Sequence, residues 1–167
     1  LMADGVDLGE SAADYILEKD FWDQIDRAAA LLEEHGDQIH LPVDVAVEND
    51  DGRCEIPVTD LPTPNDGDVM DVGSETVAAY RSVLSEMGTA ILNGPAGVFE
   101  KPPYQAGTKG LFQAVADANY SVVGGGDTAR AIRKFDIGGF DHVSTGGGAA
   151  LAMLTGQSLP AIEVLHA

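Results

Sequence analysis

Apolar positions along this chain alternate between two periods. Phe21, Ile25, Ala28, Ala29 and Leu32 recur at helical spacing. They predict an amphipathic helix over Asp20 to His35, with Asp23, Gln24, Asp26, Glu33 and Glu34 on its solvated face, Trp22 packed and Gly36 as its stop. Ser11 is placed to cap a shorter helix before it, running to about Lys19. Val77, Tyr80, Leu84 and Met87 make a second stripe, capped by Ser74, with Glu75 in its first turn and Gly88 after it. Leu111, Phe112, Val115 and Ala118 make a third, starting at Thr108. Between these lie short β-branched runs: Ile39 to Val47, Glu55 to Thr59, Val69 to Val72, Thr89 to Leu92, Ser121 to Val123 and Val143 to Thr145. Pro57 places the second of them at a sheet edge. Glu48 to Arg53 reads as an acidic turn and Leu61 to Asp68 as a Pro/Asp/Gly loop. Ala129 to Lys134 and Gly148 to Thr155 read as helices, the latter ended by Gly156. This alternation predicts a doubly wound α/β fold: a mostly parallel, Rossmann-like sheet with helices on both faces.

Three of the strands run into glycine turns. Ser121-Val122-Val123 leads into Gly124-Gly125-Gly126 and then Asp127 and Thr128, both good N-caps. Asp141-His142-Val143-Ser144-Thr145 leads into Gly146-Gly147-Gly148, and Ala90-Ile91-Leu92 into Asn93-Gly94-Pro95-Ala96-Gly97-Val98-Phe99-Glu100. Glycine admits close backbone approach, and the unpaired N–H groups of a helix start attract anions, so the pattern predicts one phosphate site along the carboxyl edge of a parallel sheet. Any one triplet is equally well a tight turn with nothing bound. Gly124-x-Gly126-x-x-Ala129 also fits the dinucleotide pattern loosely, without an acidic residue at the end of a clean second strand. Asp127 reads equally as a magnesium ligand or as a simple cap. No Walker sequence, Ser-His-Asp arrangement or zinc spacing is present; His35, His40 and His166 show no ligand spacing, and His142 reads as a partly buried strand residue.

Composition narrows the function classes. The chain has 167 residues, enough for one domain with a core, and is 44% hydrophobic. There is no long apolar run or signal-like start. Leu1 is not an initiator Met, from which a fragment or processed product is expected. Cys54 is the only cysteine, as in a reducing cytosol, and is assigned no chemistry. Nine Lys+Arg stand against 28 Asp+Glu, a net charge of −19. Such a field repels nucleic acid and anionic membranes. It reads as a surface adapted to a salt-rich cytoplasm, with ordinary acidic solubility as the alternative, and it predicts a fold that loosens in low salt. A polyphosphate ligand would then rely on backbone amides, a metal ion and cations from elsewhere.

Taken together, Asn93 to Glu100, Gly124 to Thr128 and Ser144 to Ala149, in this order and spacing, resemble the C-terminal nucleotide-binding domain of phosphoglycerate kinase. Asn93-Gly94-Pro95-Ala96 is similar to archaeal members, and with the acidic surface suggests a halophilic type. Leu1 to Gly9 is similar to the segment after a central glycine-rich strand of that family, and Leu159-Pro160 to its terminus. The resemblance implies phosphoryl transfer between 1,3-bisphosphoglycerate and ADP, giving 3-phosphoglycerate and ATP, with magnesium and closure between two lobes. It implies Glu100 on the ribose hydroxyls, Met70 and Val98 along an adenine slot, and Asn93, Pro95 and Gly97 shaping the turn beside the nucleotide. It implies Gly125, Gly126, Asp127 and Thr128 at the phosphates, with Asp127 holding magnesium, and Gly147 and Gly148 donating backbone N–H groups to the transferring phosphoryl group. Val69 stands where relatives often carry glycine, and Leu92 and Ala96 depart from the Trp-Asn-Gly-Pro-Met pattern. Asp44 matches a family feature but is assigned no role. On this resemblance residues 1–167 are one C-terminal domain lacking its first strand or strands and the whole N-terminal substrate domain. The chain is then expected to be cytoplasmic, monomeric and inactive alone, with phosphoglycerate met only through the other lobe. The rival readings are a non-catalytic nucleotide- or anion-binding module and a dinucleotide-binding dehydrogenase domain.

Overall fold

Asp44-Val45-Ala46-Val47 is the most deeply buried run of the chain. Four consecutive buried residues mean that this strand is covered on both faces, which alternation of side chains along a strand otherwise prevents. The structure is a computed structural model and describes residues 1–62, 67–144 and 146–166. Most of the Leu61 to Asp68 loop, and Thr145 at the end of the last predicted strand, lie outside the described residues. The chain divides into two compact units, Leu1–Tyr80 with Gly97–Gly107, and Arg81–Ala96 with Thr108–Ala167.

The first unit holds helices α1 (Glu10–Glu18) and α2 (Trp22–His35), strands β1 (Asp44–Asn49), β2 (Gly52–Pro57) and β3 (Asp68–Val72), and the start of α3 (Ser74–Ser85). Its sheet has the order β2-β1-β3, and both pairings are antiparallel. The first pairing follows from the acidic turn. Asn49 pairs with Gly52 across Asp50-Asp51, the Asn49 carboxamide accepts the Asp51 N–H at 3.1 Å, and Gly52 takes φ 103°. That two-residue loop makes a tight hairpin, so β2 begins at Gly52, earlier than Glu55, and the stretch Val58–Asp60 is a 3-10 turn. Strand β1 begins only at Asp44, because Pro42 has no N–H to pair in the lead-in. The register of β1 on β3 jumps between Ala46 and Val47, leaving Met70 without a partner as a bulge. Trp22 is 46% exposed, which corrects its assignment to the packed face; α2 contains no buried residue.

The second unit carries β4 (Ala90–Asn93), β5 (Ser121–Gly124) and β6 (His142–Ser144) as a parallel sheet in the order β4-β5-β6, with most of α4 (Ala106–Ala116), α5 (Gly126–Phe135), α6 (Gly147–Leu154) and α7 (Pro160–His166). The parallel, helix-flanked sheet expected from the alternation is therefore found here, while both pairings of the other sheet are antiparallel, only β1 with β2 through the hairpin. Ala90, Val115 and Val123 form a small core, with Leu84, Leu92, Ala118, Ile132 and Phe140 packed on it. Helix α7, with Pro160 at its first position, has no counterpart among the predicted elements. His142 is exposed on β6, not partly buried.

Candidate functional site

The three glycine-bearing strand ends of the second unit lie side by side. Asn93 pairs with Gly124, and Gly124 with Ser144, so β4, β5 and β6 finish at one edge in one register. Gly125 then turns at φ 106° and donates its N–H to the Ser144 carbonyl at 3.2 Å, fastening the β5 turn to β6. Helix α5 starts at Gly126 and α6 at Gly147. The turns interlock: a Cβ on Gly147 would sit 2.6 Å from the Gly125 Cα and 3.3 Å from the Asn93 Oδ1. Only glycine at both positions allows this approach. The β4 turn is tied in as well, because the buried Thr128 hydroxyl accepts the Gly94 N–H at 2.8 Å. The leading amides of two helices thus come to one strand edge, the arrangement that attracts phosphate.

Each predicted residue of this edge has a definite place. Gly125 is the entry residue of α5, so Asp127 and Thr128 lie inside the first turn and neither caps it. This corrects the capping assignment: a glycine at positive φ, with no side-chain cap, starts the helix. Asp127 is 68% exposed, and its carboxylate pairs with Arg130 at 3.3 Å. Among the described residues, a Cβ placed on Gly126 or Gly148 would meet nothing within 4 Å beyond its own helix backbone and chain neighbours. Asn93 is exposed and Pro95 half-buried. Among the described residues no three His, Cys, Asp or Glu gather as a metal-ligand group. A single open carboxylate at a helix start suits a magnesium ion held chiefly by phosphate oxygens and water, and would not suit an all-protein cage.

In the first unit Met70 and Val98 share the wall of a pocket of about 490 Å³, together with Met2, Leu8, Tyr15 and Ile16. The bulge leaves the Met70 carbonyl free to accept the Val98 N–H at 2.8 Å, which fixes the turn that carries Val98. Glu100 is exposed on this turn and Gly97 half-buried. The pocket is mostly apolar, as a flat heteroaromatic ligand requires. The sequence reading missed its α1 wall, because Tyr15 and Ile16 read simply as helix positions.

Two buried aspartates support the same unit. Asp44 accepts the Glu75 N–H at 3.0 Å, the Thr76 N–H at 2.7 Å and the Thr76 hydroxyl at 2.6 Å. It therefore caps α3 from β1, and Gly73 is needed because a Cβ there would collide with its carboxylate. Ser74, expected as the cap, instead donates its hydroxyl and N–H to Glu55 at 2.6 and 3.0 Å. Burial opposes ionisation of Glu55, but the Ser74 donors and the Arg53 charge outweigh it and hold its pKa below the usual value. Asp71 accepts the Gly107 N–H at 2.8 Å in the first turn of α4. Burial nevertheless raises its pKa, against the help of the Gly107 and Val72 amides and Arg53.

Comparison with known proteins agrees with this architecture. The family model for phosphoglycerate kinase matches residues 1–157. The chain is 55% identical over 166 residues to a phosphoglycerate kinase of Halobacterium salinarum, covering 99% of this chain and 42% of that protein. It is 50% identical over 168 residues to that of Natronomonas pharaonis, again covering 42% of it. Among solved structures it superposes on the crystal structure of phosphoglycerate kinase from Pyrococcus horikoshii OT3 with a TM-score of 0.88 at 36% identity, covering 99% of this chain and 42% of that one. The enzyme from Coxiella burnetii gives 0.79, also at 36% identity, with 99% and 43% covered. The chain thus spans about two-fifths of the length of the relatives it matches. With the family model running over nearly all of it, this chain belongs to the phosphoglycerate kinase family.

Proposed function

We propose that this chain is the nucleotide-binding part of a phosphoglycerate kinase, serving phosphoryl transfer between 1,3-bisphosphoglycerate and ADP. The observation that carries this is the interlock of Gly125, Gly147 and Asn93 at one parallel strand edge. Phosphoryl transfer demands positioning and positive potential more than covalent chemistry. The leading amides of α5 and α6 supply fixed donors for phosphate oxygens, with Gly147 and Gly148 toward the transferring group. Asp127 is the carboxylate for magnesium, which when bound neutralises phosphate charge. Thr128 holds the β4 turn through its oxygen and keeps its hydroxyl hydrogen for a donor role. Met70 and Val98 contact the base, Glu100 accepts from the ribose hydroxyls, and Asn93, Pro95 and Gly97 shape the turn between strand and ligand. Every one of these groups binds or orients; none moves a proton.

The acid substrate needs a basic surface that a chain with nine Lys+Arg and net charge −19 does not offer. We therefore assign phosphoglycerate to the part of the protein that supplies the basic lobe, and treat residues 1–167 as the C-terminal nucleotide domain. No helix among the described residues is long and apolar enough to cross a membrane, and the reading is of a cytoplasmic monomer.

Isothermal titration with Mg-ADP, Mg-ATP and NAD tests this. Weak, magnesium-dependent binding of the adenine nucleotides is expected, with Asp127→Asn abolishing the magnesium dependence. Glu100→Gln should weaken ADP while leaving inorganic tripolyphosphate unaffected. Preference for NAD would point to a dehydrogenase domain, and magnesium-independent binding indifferent to Asp127→Asn to a plain anion-binding module. The chain alone should form no ATP; measurable formation would refute the division of labour between lobes.

A further inference from the structure

We infer that Asp71 is a positioning residue for the base and ribose end of the nucleotide, because its buried carboxylate anchors both ends of the Gly97–Gly107 segment that carries Val98 and Glu100. The inference rests on the nucleotide reading above. Asp71 lies on β3, one residue beyond the Met70 bulge, and is 3% exposed. At one end of the segment the Gly107 N–H donates to its carboxylate at 2.8 Å. At the other end Gly97 lies directly against it: a Cβ there would approach the Asp71 Cβ to 2.8 Å, and the carboxylate more closely still. A Cβ on Gly107 would meet the Asp71 Cγ at 2.9 Å and the Val72 Cγ2 at 2.6 Å. Two glycines ten positions apart are thus both fitted to one carboxylate.

Other bonds also hold the chain between these contacts, among them the ion pair of Lys101 with Glu48 at 2.7 Å. The Val98 N–H donates to the Met70 carbonyl at 2.8 Å, the Gln105 amide to the Phe99 carbonyl at 2.9 Å, and Phe99 and Tyr104 are buried. Val98 and Met70 line the apolar pocket of the same unit. A carboxylate at this depth is disfavoured by burial, a cost that an apolar residue of similar size would not carry. Its return is directional: it accepts an N–H that would otherwise be buried without a partner, and it sets the height of the turn above β3. Asp71 itself touches neither base nor ribose; it acts through Gly97 and Val98.

The test compares ligands that do and do not use this turn. Mg-ADP reports base, ribose and phosphates together; inorganic tripolyphosphate reports the phosphate edge alone. Asp71→Ala should lower ADP affinity by roughly tenfold or more, as for a displacement of the order of 1 Å at a contact turn, with tripolyphosphate binding unchanged. Asp71→Asn, which keeps an acceptor for the Gly107 N–H, should restore most of the affinity. Gly97→Ala should weaken ADP in the same selective way. The double variant Asp71→Ala/Gly97→Ala should lose less than the two single changes summed, since the carboxylate is gone, although the Cβ kept at position 71 would still stand 2.8 Å from the new methyl. If Asp71→Ala does not fold, Asp71→Asn and Gly97→Ala decide the matter. Equal ADP binding by wild type and the Asp71 and Gly97 variants overturns the inference, as does a parallel loss of both ligands that tracks lowered thermal stability. If the unaltered chain binds tripolyphosphate but not ADP, the nucleotide reading itself fails and the inference falls with it.

Discussion

Adding one methyl group at Gly147 probes the phosphate edge most directly. The new Cβ would stand 2.6 Å from the Gly125 Cα and 2.8 Å from its nitrogen. Both are backbone atoms, fixed by the Gly125 N–H to Ser144 carbonyl bond, so no side chain can swing away. Restoring an ordinary carbon–carbon separation of about 3.5–4.0 Å requires the two turns to part by roughly 1 Å. Overpacking of this kind costs about 1–3 kcal/mol. Better helix propensity in the first turn of α6 returns up to about 1 kcal/mol. With the full return the net loss is about 0–2 kcal/mol, a fall of up to about 8 °C in Tm for a chain of this size. The effect on ligand should be larger, since donors displaced by about 1 Å lose roughly a hundredfold. Gly148→Ala is the comparison for stability: among the described residues its Cβ would meet nothing within 4 Å beyond its own helix backbone and chain neighbours, so its Tm should stay level or rise. Thermal unfolding followed by circular dichroism, with tripolyphosphate titrated into each folded variant, measures both. If Gly147→Ala matched Gly148→Ala in Tm and bound tripolyphosphate like the wild type, the interlock would not be the basis of the site.

Three further expectations concern the fold. Asp44→Ala strands two amides at the start of α3, while the Thr76 hydroxyl keeps the Asp44 main-chain carbonyl at 2.9 Å, and should cost about 2–4 kcal/mol, read as a lower urea midpoint with unchanged slope; a shift below 0.5 kcal/mol would contradict the capping role. Glu55 has a folded pKa below its ordinary 4.5, so its contribution is present above pH 4.5 and is lost as pH falls through the folded pKa. Ser74→Ala should therefore flatten the acid limb of the stability curve; Asp71 contributes the opposite slope, because its raised pKa weakens the fold as pH climbs from 3.8. With a net charge of −19, Tm should climb steeply between about 0.1 and 1 M KCl, as the screening length shrinks from about 10 Å to about 3 Å; a level curve would count against the adapted-surface reading.

Fold class and the chemistry of the strand edge were legible in the residues because both are written locally. Periodicity separates Leu111-Phe112-Val115 from Ser121-Val122-Val123 within a few positions, and a strand followed by Gly124-Gly125-Gly126 carries its own turn. The order of the three glycine turns by itself carries the resemblance to the family. Boundaries were less legible: Gly125 displaced Asp127 and Thr128 from the cap because a glycine at φ 106° can start the helix without a side chain.

What only the tertiary structure decided are pairings between distant groups. Asp44 reads as a flaw in an apolar strand until Thr76, 32 positions away, is seen to donate to it. Asp71 is equally mute until Gly107, 36 positions away, arrives. The antiparallel register of β1 with β3, the Met70 bulge and the exposure of Trp22 belong to the same class. A sequence states which hydrogen-bonding and apolar groups exist and how they recur along a helix or strand. Which of them meet depends on packing that sums weak contributions over the whole unit, and no short window contains that sum.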